Sequence, residues 1–320
     1  MLNELLDTYN VQIEYIRNSN DKNLLLNNYT IYVINLKNDI IRRNYIQFLF
    51  KRHKLNYILV IVDKFKYKNT TELIKYRIQD CKMGCILSHL WCIKHAINQL
   101  CNRFIIFEDD IIFHKYFNEE LTKYLSNETD IPDLLMLGAI DFKIGQNTKN
   151  LQKGCIYYPN NNILGAHANM YTLDFAKSFF EYKVNCKKVL EFDFDYANFM
   201  RTFKIGVCFP NLIVCELSTT NINHKFSPTN INNFNSYKRS LHNEFTYLDY
   251  EYMIIDFIQF VLDKYTSKII YININEAIID FIKLNNKAHI DLEKWLLNGT
   301  YSLDDLLVII KNIKYDKYIK

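Results

Sequence analysis

The segment NRFIIFEDDIIFHKYF, residues 102–117, runs a short apolar, β-prone stretch (Phe104, Ile105, Ile106, Phe107) straight into three carboxylates, Glu108, Asp109 and Asp110. Side chains on an extended segment alternate, so Glu108 and Asp110 are expected on one side and Asp109 on the other. Two carboxylates held about 4 Å apart repel by about 4 kcal/mol at an effective dielectric of 20. Three things can relieve that strain. One is a divalent cation that prefers oxygen, magnesium or manganese, shared with substrate phosphates. The second is a neighbouring Lys or Arg, and the third is solvent around an exposed turn. Acid count alone does not choose the reaction, because phosphoryl-transfer domains also place a double acid at a strand end.

The pattern around the triplet alternates between periods. YTIYVINL (29–36), NYILVIV (56–62), RFIIF (103–107) and DLLMLGA (133–139) read as buried strands. Between them DIIRRNYIQFLFKRH (39–53), MGCILSHLWCIKHAINQL (83–100) and EELTKYL (119–125) read as helices. Strand and helix in alternation predict an α/β fold with a parallel sheet covered on both faces. Ligands of such sheets bind beyond the carboxyl ends of the strands, and the triplet begins where one strand stops. Further on, CIYYP and HANMYTL read as antiparallel or irregular strands. DFAKSFFEYK (174–183) reads as a helix with Asp174 at its N-cap, and FDFDYANFMRTF (192–203) as another. KIGVCFPNLIVCEL (204–217) reads as two short strands around Pro210.

Bulk composition excludes several classes. The chain has 320 residues, 49% of them hydrophobic, which suffices for a packed core, and seven glycines with four prolines leave no flexible linker. A net charge of +4, from 39 basic and 35 acidic residues, is too small and too mixed for a nucleic-acid binder. The charged N-terminus lacks a signal-peptide core, and MIIDFIQFVL (253–262) is too short to span a bilayer. These features predict a soluble cytoplasmic protein. Abundant Asn, Ile, Lys and Tyr suggest an AT-rich genome; for a large DNA virus the location would be the viral factory or the virion. Without a secretory signal the eight cysteines are expected as reduced thiols, with Cys81, Cys85 and Cys92 small core residues on one helix face rather than zinc ligands.

Three motifs then stand in order: Ile34, Asn35 and Leu36 with Arg42 or Arg43 downstream; Gly84, Cys85, Ser88 and His89; and Glu108, Asp109 and Asp110. Together they resemble glycosyltransferase family 25, which holds bacterial lipooligosaccharide galactosyltransferases and procollagen galactosyltransferases. The likeness extends through Gly165 to Ala176, with Asn169 where Tyr is usual, then Asp195 with Phe199, and Pro210, Glu216, Leu217 and His224. It covers about residues 30–230.

The resemblance implies a GT-A fold, Rossmann-like and binding a nucleotide-sugar, over residues 29–235. An N-terminal helical segment (1–28) is expected before it, and a C-terminal helical extension (236–320) after it, with room for a homodimer through the latter. It also implies an inverting, metal-dependent transfer of a hexose, galactose or glucose, from a UDP-sugar to a saccharide or a collagen-like hydroxylysine. A degenerate GT-A domain serving as a scaffold or glycan-binding module is the competing reading.

By that resemblance Asp110, with Glu108 or Asp109, holds Mn2+ (or Mg2+), and a late His224 completes the shell unless it is a surface-loop histidine. Asn35, Leu36, Arg43, Ser88 and Asp109 are expected at the donor. Asn35 can instead cap a helix, Arg42 competes with Arg43 for the pyrophosphate, and Ser88 and His89 can be structural. Of the acids in EFDFD, Asp195 is expected as the base that takes the acceptor proton, the alternative being a helix cap.

Overall fold

The computed structural model describes residues 2–20, 25–69, 76–114, 116–126, 131–139, 141–142, 154–159, 163–209 and 211–215. The expected C-terminal extension, the dimer through it, and Pro210, Glu216, Leu217 and His224 lie outside those residues. The described chain opens with helix α1 (Leu2–Asp7) and strand β1 (Val11–Ile16), then β2 (Thr30–Leu36), α2 (Ile40–Arg52), β3 (Tyr57–Val62) and α3 (Asp80–Asn98). It continues through β4 (Arg103–Phe107), β5 (Ile111–Phe113), α4 (Phe117–Leu125), β6 (Leu134–Met136), β7 (Asp141–Phe142), β8 (Cys155–Tyr157) and β9 (Ile163–Leu164). Strand β10 (Ala168–Thr172), α5 (Leu173–Asn185), a 3-10 helix (Asp193–Phe199), β11 (Ile205–Phe209) and β12 (Ile213–Cys215) follow.

The main sheet has eight strands in the order β1-β3-β2-β4-β10-β6-β11-β8. Strand β2 pairs in parallel with β3 on one side and β4 on the other, so the chain reverses its direction of travel across the sheet between them. That is the switch point at which α/β sheets open a ligand crevice. The sheet is mixed rather than all parallel, because β10 inserts antiparallel between β4 and β6. The fold is α/β.

Period-two burial explains why the central strands are apolar throughout. Val33, Leu59, Ile61, Ile105 and Phe107 face the core built with Ile46, Leu49 and Phe50 of α2. Their neighbours Tyr32, Val60, Phe104 and Ile106 face the opposite core, built with Ile86, Leu87, Leu90 and Ile93 of α3. Strand β3 accordingly buries all six of its residues. The two helices sit on opposite faces, and their ends nearest the crevice carry the site.

Two expected elements differ. The segment 1–28 is helical at α1, but β1 joins the sheet edge beside β3, with Val11 opposite Val62 and Ile16 opposite Tyr57. Alternation decides it: Gln12 and Glu14 are exposed while Val11 and Ile13 pack on the core, a pattern that suits an edge strand. Helix α5 is capped by Thr172, whose hydroxyl accepts from the Phe175 N–H at 3.3 Å, so Asp174 lies within the first turn. Among the described residues no helix is long and apolar enough to cross a membrane.

Just after β6 the backbone passes close to β12. A methyl group on Gly138 would sit 1.8 Å from the Ile213 carbonyl oxygen. Gly138→Ala therefore has to push two chain segments apart and should cost about 1–3 kcal/mol, read as a lower urea midpoint.

Candidate active site

The triplet sits in the turn joining β4 to β5, and its three side chains have three different fates. Asp109 turns inward: Asn35 Nδ2 donates to Oδ2 at 2.7 Å and Arg42 donates to Oδ1 at 2.9 Å. Arg42 also lies 3.7 Å from Asp110 Oδ2. Glu108 faces α3 instead, with His89 Nε2 at 2.8 Å and the Cys85 thiol at 3.7 Å from Oε1. The expected alternation thus gives way to a turn, in which Asp109 and Asp110 share one guanidinium.

Electrostatics follow from that arrangement. Burial pushes the Asp109 carboxyl up, Arg42 pulls it down, and the nearby Asp39 charge adds to the rise. For Glu108, burial also acts upward, but the His89 hydrogen bond and the electrostatic influence of His89 and His167 leave it below the ordinary value. Arg42 is placed by its helix: the Asp39 side chain caps α2 by accepting from the Arg42 N–H at 3.2 Å.

All three acids line one cleft. Its other walls include Leu36 at the end of β2, Val62 at the end of β3, Phe65 beyond it, and Gly84, Cys85, Ser88 and His89 on α3. Spacing places the last four: residues four apart on a helix share a face. Tyr9 closes one end, its hydroxyl 3.0 Å from Ser88 Oγ and 3.4 Å from the carbonyls of Asp63 and Gly84. Burial pushes the Tyr9 hydroxyl up to about 12, so it stays a neutral hydrogen-bonding group. His89 is stacked on Phe192 with centroids 4.5 Å apart, which fixes its ring toward Glu108.

Of the expected site residues, Leu36, Ser88, Glu108, Asp109 and Asp110 come together at this cleft. Asn35 and Arg43 do not line it. Asn35 is fully buried and spends its amide on Asp109 and on the Asp39 carbonyl. Arg43 braces the loop after β2 through Asn35 Oδ1 and the carbonyls of Leu36 and Lys37. Of the two arginines, Arg42 is the one on the cleft wall.

Asp195 is 1% exposed and paired with Lys183 at 2.7 Å, with Tyr182 and Asn198 on its other oxygen; neither it nor Asp193 is on the cleft wall. Asp193 lies nearer the triplet electrostatically. It accepts from the Gly165 N–H at 2.7 Å, and burial, with the Glu108 and Glu191 charges, pushes its carboxyl up. Gly165 holds φ at +142°, a conformation that favours glycine. Cys81 and Cys85 line the cleft rather than the core, which keeps only Cys92 of the three. Tyr9, Asp63 and Phe65 were not expected at the site; an N-terminal tyrosine and a loop after a strand carry no local signal of the cleft they meet.

The model of the family described as glycosyltransferase family 25 (LPS biosynthesis protein) matches residues 28–188, half of the chain. The chain belongs to glycosyltransferase family 25. Every cleft residue above except Tyr9 falls within the matched region of this family 25 glycosyltransferase. A crystal structure of a glycosyltransferase involved in the glycosylation of the major capsid of PBCV-1 is similar at 11% identity, over 66% of this chain and 98% of that one. Its TM-score of 0.34 makes that likeness too loose to bear on fold or chemistry. No curated protein matches the chain.

The buried pair between Arg42 and Asp109 gives the site a measurable cost of disruption. Arg42→Ala strands a buried carboxylate and should lower the unfolding free energy by about 3–5 kcal/mol, and adding Asp109→Asn should recover part of that loss. Urea unfolding of the single and double variants reads both.

Proposed function

We propose that the protein transfers a hexose, galactose or glucose, from a UDP-sugar to a saccharide acceptor, on a GT-A-type nucleotide-sugar domain, with inversion at the sugar carbon. The observation that carries this reading is the set of three carboxylates facing one cleft at the sheet's switch point. Hard oxygen donors of this kind suit Mn2+ or Mg2+ shared with phosphate oxygens. Asp110, 16% exposed at its side chain, and Glu108, 27% exposed, are the acids with surface left for such an ion; Asp109 has both oxygens bonded. Bound there, a divalent ion stabilises the charge that develops on the leaving diphosphate.

The remaining roles belong to the chain itself. Leu36, Val62, Phe65 and Tyr9 supply an apolar and aromatic end suited to the nucleoside base, while Ser88 fixes Tyr9. Arg42 keeps Asp109 folded back, which orients its neighbour Asp110 toward the cleft. Inversion requires a base on the acceptor side, and Asp193 fits better than Asp195: its raised affinity for a proton suits the task, and among the described residues no lysine pairs with it as Lys183 does with Asp195. A saccharide acceptor is favoured over a collagen-like one by the family's description as an LPS biosynthesis protein.

The test is Mn2+-dependent release of UDP from UDP-galactose or UDP-glucose. Release by the parent protein should fall more than about a hundredfold in Asp110→Asn, since even partners of metal ligands contribute 10–100-fold. Asp193→Asn should lose transfer to a saccharide acceptor, whereas Asp195→Asn, assayed where it remains folded, should keep it. Absence of UDP release with either donor would point to a non-catalytic glycan-binding domain.

A further inference from the structure

Cys85 and His89 stand four residues apart on α3, and that spacing puts both on the helix face that meets the end of β4. There they meet Glu108. The cysteine sulfur, a ring nitrogen of His89 and a carboxylate oxygen of Glu108 all lie within 4.8 Å of one another. All three residues line the cleft. We propose that Cys85, His89 and Glu108 form a site for a thiophilic divalent cation, Zn2+ above all, which shares Glu108 with the oxygen-donor site at Asp110.

Geometry and donor chemistry both point there. A four-coordinate zinc with ligands at 2.0–2.3 Å needs donor atoms roughly 3.3–3.6 Å apart. The contacts of 2.8 Å from His89 to Glu108 and 3.7 Å from Cys85 to Glu108 bracket that spacing, so small side-chain rotations open room for an ion. The His89 ring is held on Phe192, which keeps its donor pointed at Glu108. A thiolate with an imidazole selects zinc, or cobalt as its spectroscopic substitute, over magnesium and manganese. On binding, the ion takes the place of the thiol proton, which leaves to solvent. Three protein ligands beside an open cleft leave the fourth position to water, the arrangement of exchangeable rather than purely structural zinc.

The proposal goes beyond the transferase reading and does not depend on it. With Zn2+ in place Glu108 is committed to α3 and withdrawn from the diphosphate side, so zinc should inhibit a Mn2+-dependent transfer.

Direct binding tests it on the full-length protein stripped of metal and titrated with Co2+. The expected result is a sulfur-to-cobalt charge-transfer band that saturates at about one equivalent and is displaced by Zn2+, but not by roughly a hundredfold excess of Mg2+. Cys85→Ser should abolish the band and His89→Ala should weaken it. Asp110→Asn and Cys155→Ser should leave it intact; the Cys155 thiol is exposed elsewhere. No thiolate band in the parent protein, or one that survives Cys85→Ser, overturns the site. The parent spectrum alone can do so, whatever the variants' stability. Failure of the transferase reading would show instead as absent UDP release with the cobalt band unchanged.

Discussion

A guanidinium held between two carboxylates in a turn is the constraint on which the rest of the cleft depends. Three adjacent acids at the end of a buried strand repel one another by several kcal/mol at protein dielectrics. Arg42 removes part of that repulsion by bonding Asp109 at 2.9 Å and standing 3.7 Å from Asp110. His89 hydrogen-bonds Glu108 from the opposite face of the sheet. The two supports come from different helices, so the triplet is pinned from both sides and its residual negative charge faces the space between them.

The fold makes that pinning possible through its parallel core. Strand β2 delivers Asn35 to Asp109 and leads into α2, whose Asp39 cap fixes the turn that carries Arg42. Strand β4 delivers the acids, and α3, on the other face, delivers His89, Cys85 and Ser88. Alternate residues of the same strands are anchored in two separate apolar cores. The helices therefore cannot shift along the sheet without disturbing a core, and the charged groups at their ends inherit that rigidity.

Much of this was legible in the residues themselves. The runs TIYVINL, YILVIV and RFIIF are unbroken and apolar because both of their faces are covered, and the motif Gly84, Cys85, Ser88, His89 announces its cleft-facing helix. What was not legible depends on angular phase. Arg42 and Arg43 differ by about 100° around a helix, and which of them meets the acids is set by how α2 packs, not by local pattern. Asp193 and Asp195 are likewise separated by a tight 3-10 turn, which sends one toward Gly165 and the other to Lys183. Strand β1 was hidden because an edge strand shows the core only half of its residues, and Tyr9 because a contact across 79 residues leaves no trace in nearby sequence.

The central claim is that the carboxylates of this turn hold a divalent cation and the diphosphate it carries. A crystal structure of the protein with Mn2+ and UDP tests it most directly. The account predicts Asp110 in the inner coordination sphere of the ion, the ion bridging to the diphosphate, and Asp109 still bonded to Arg42. An ion bound away from the turn, or Arg42 released from Asp109 to hold the phosphates itself, would contradict it.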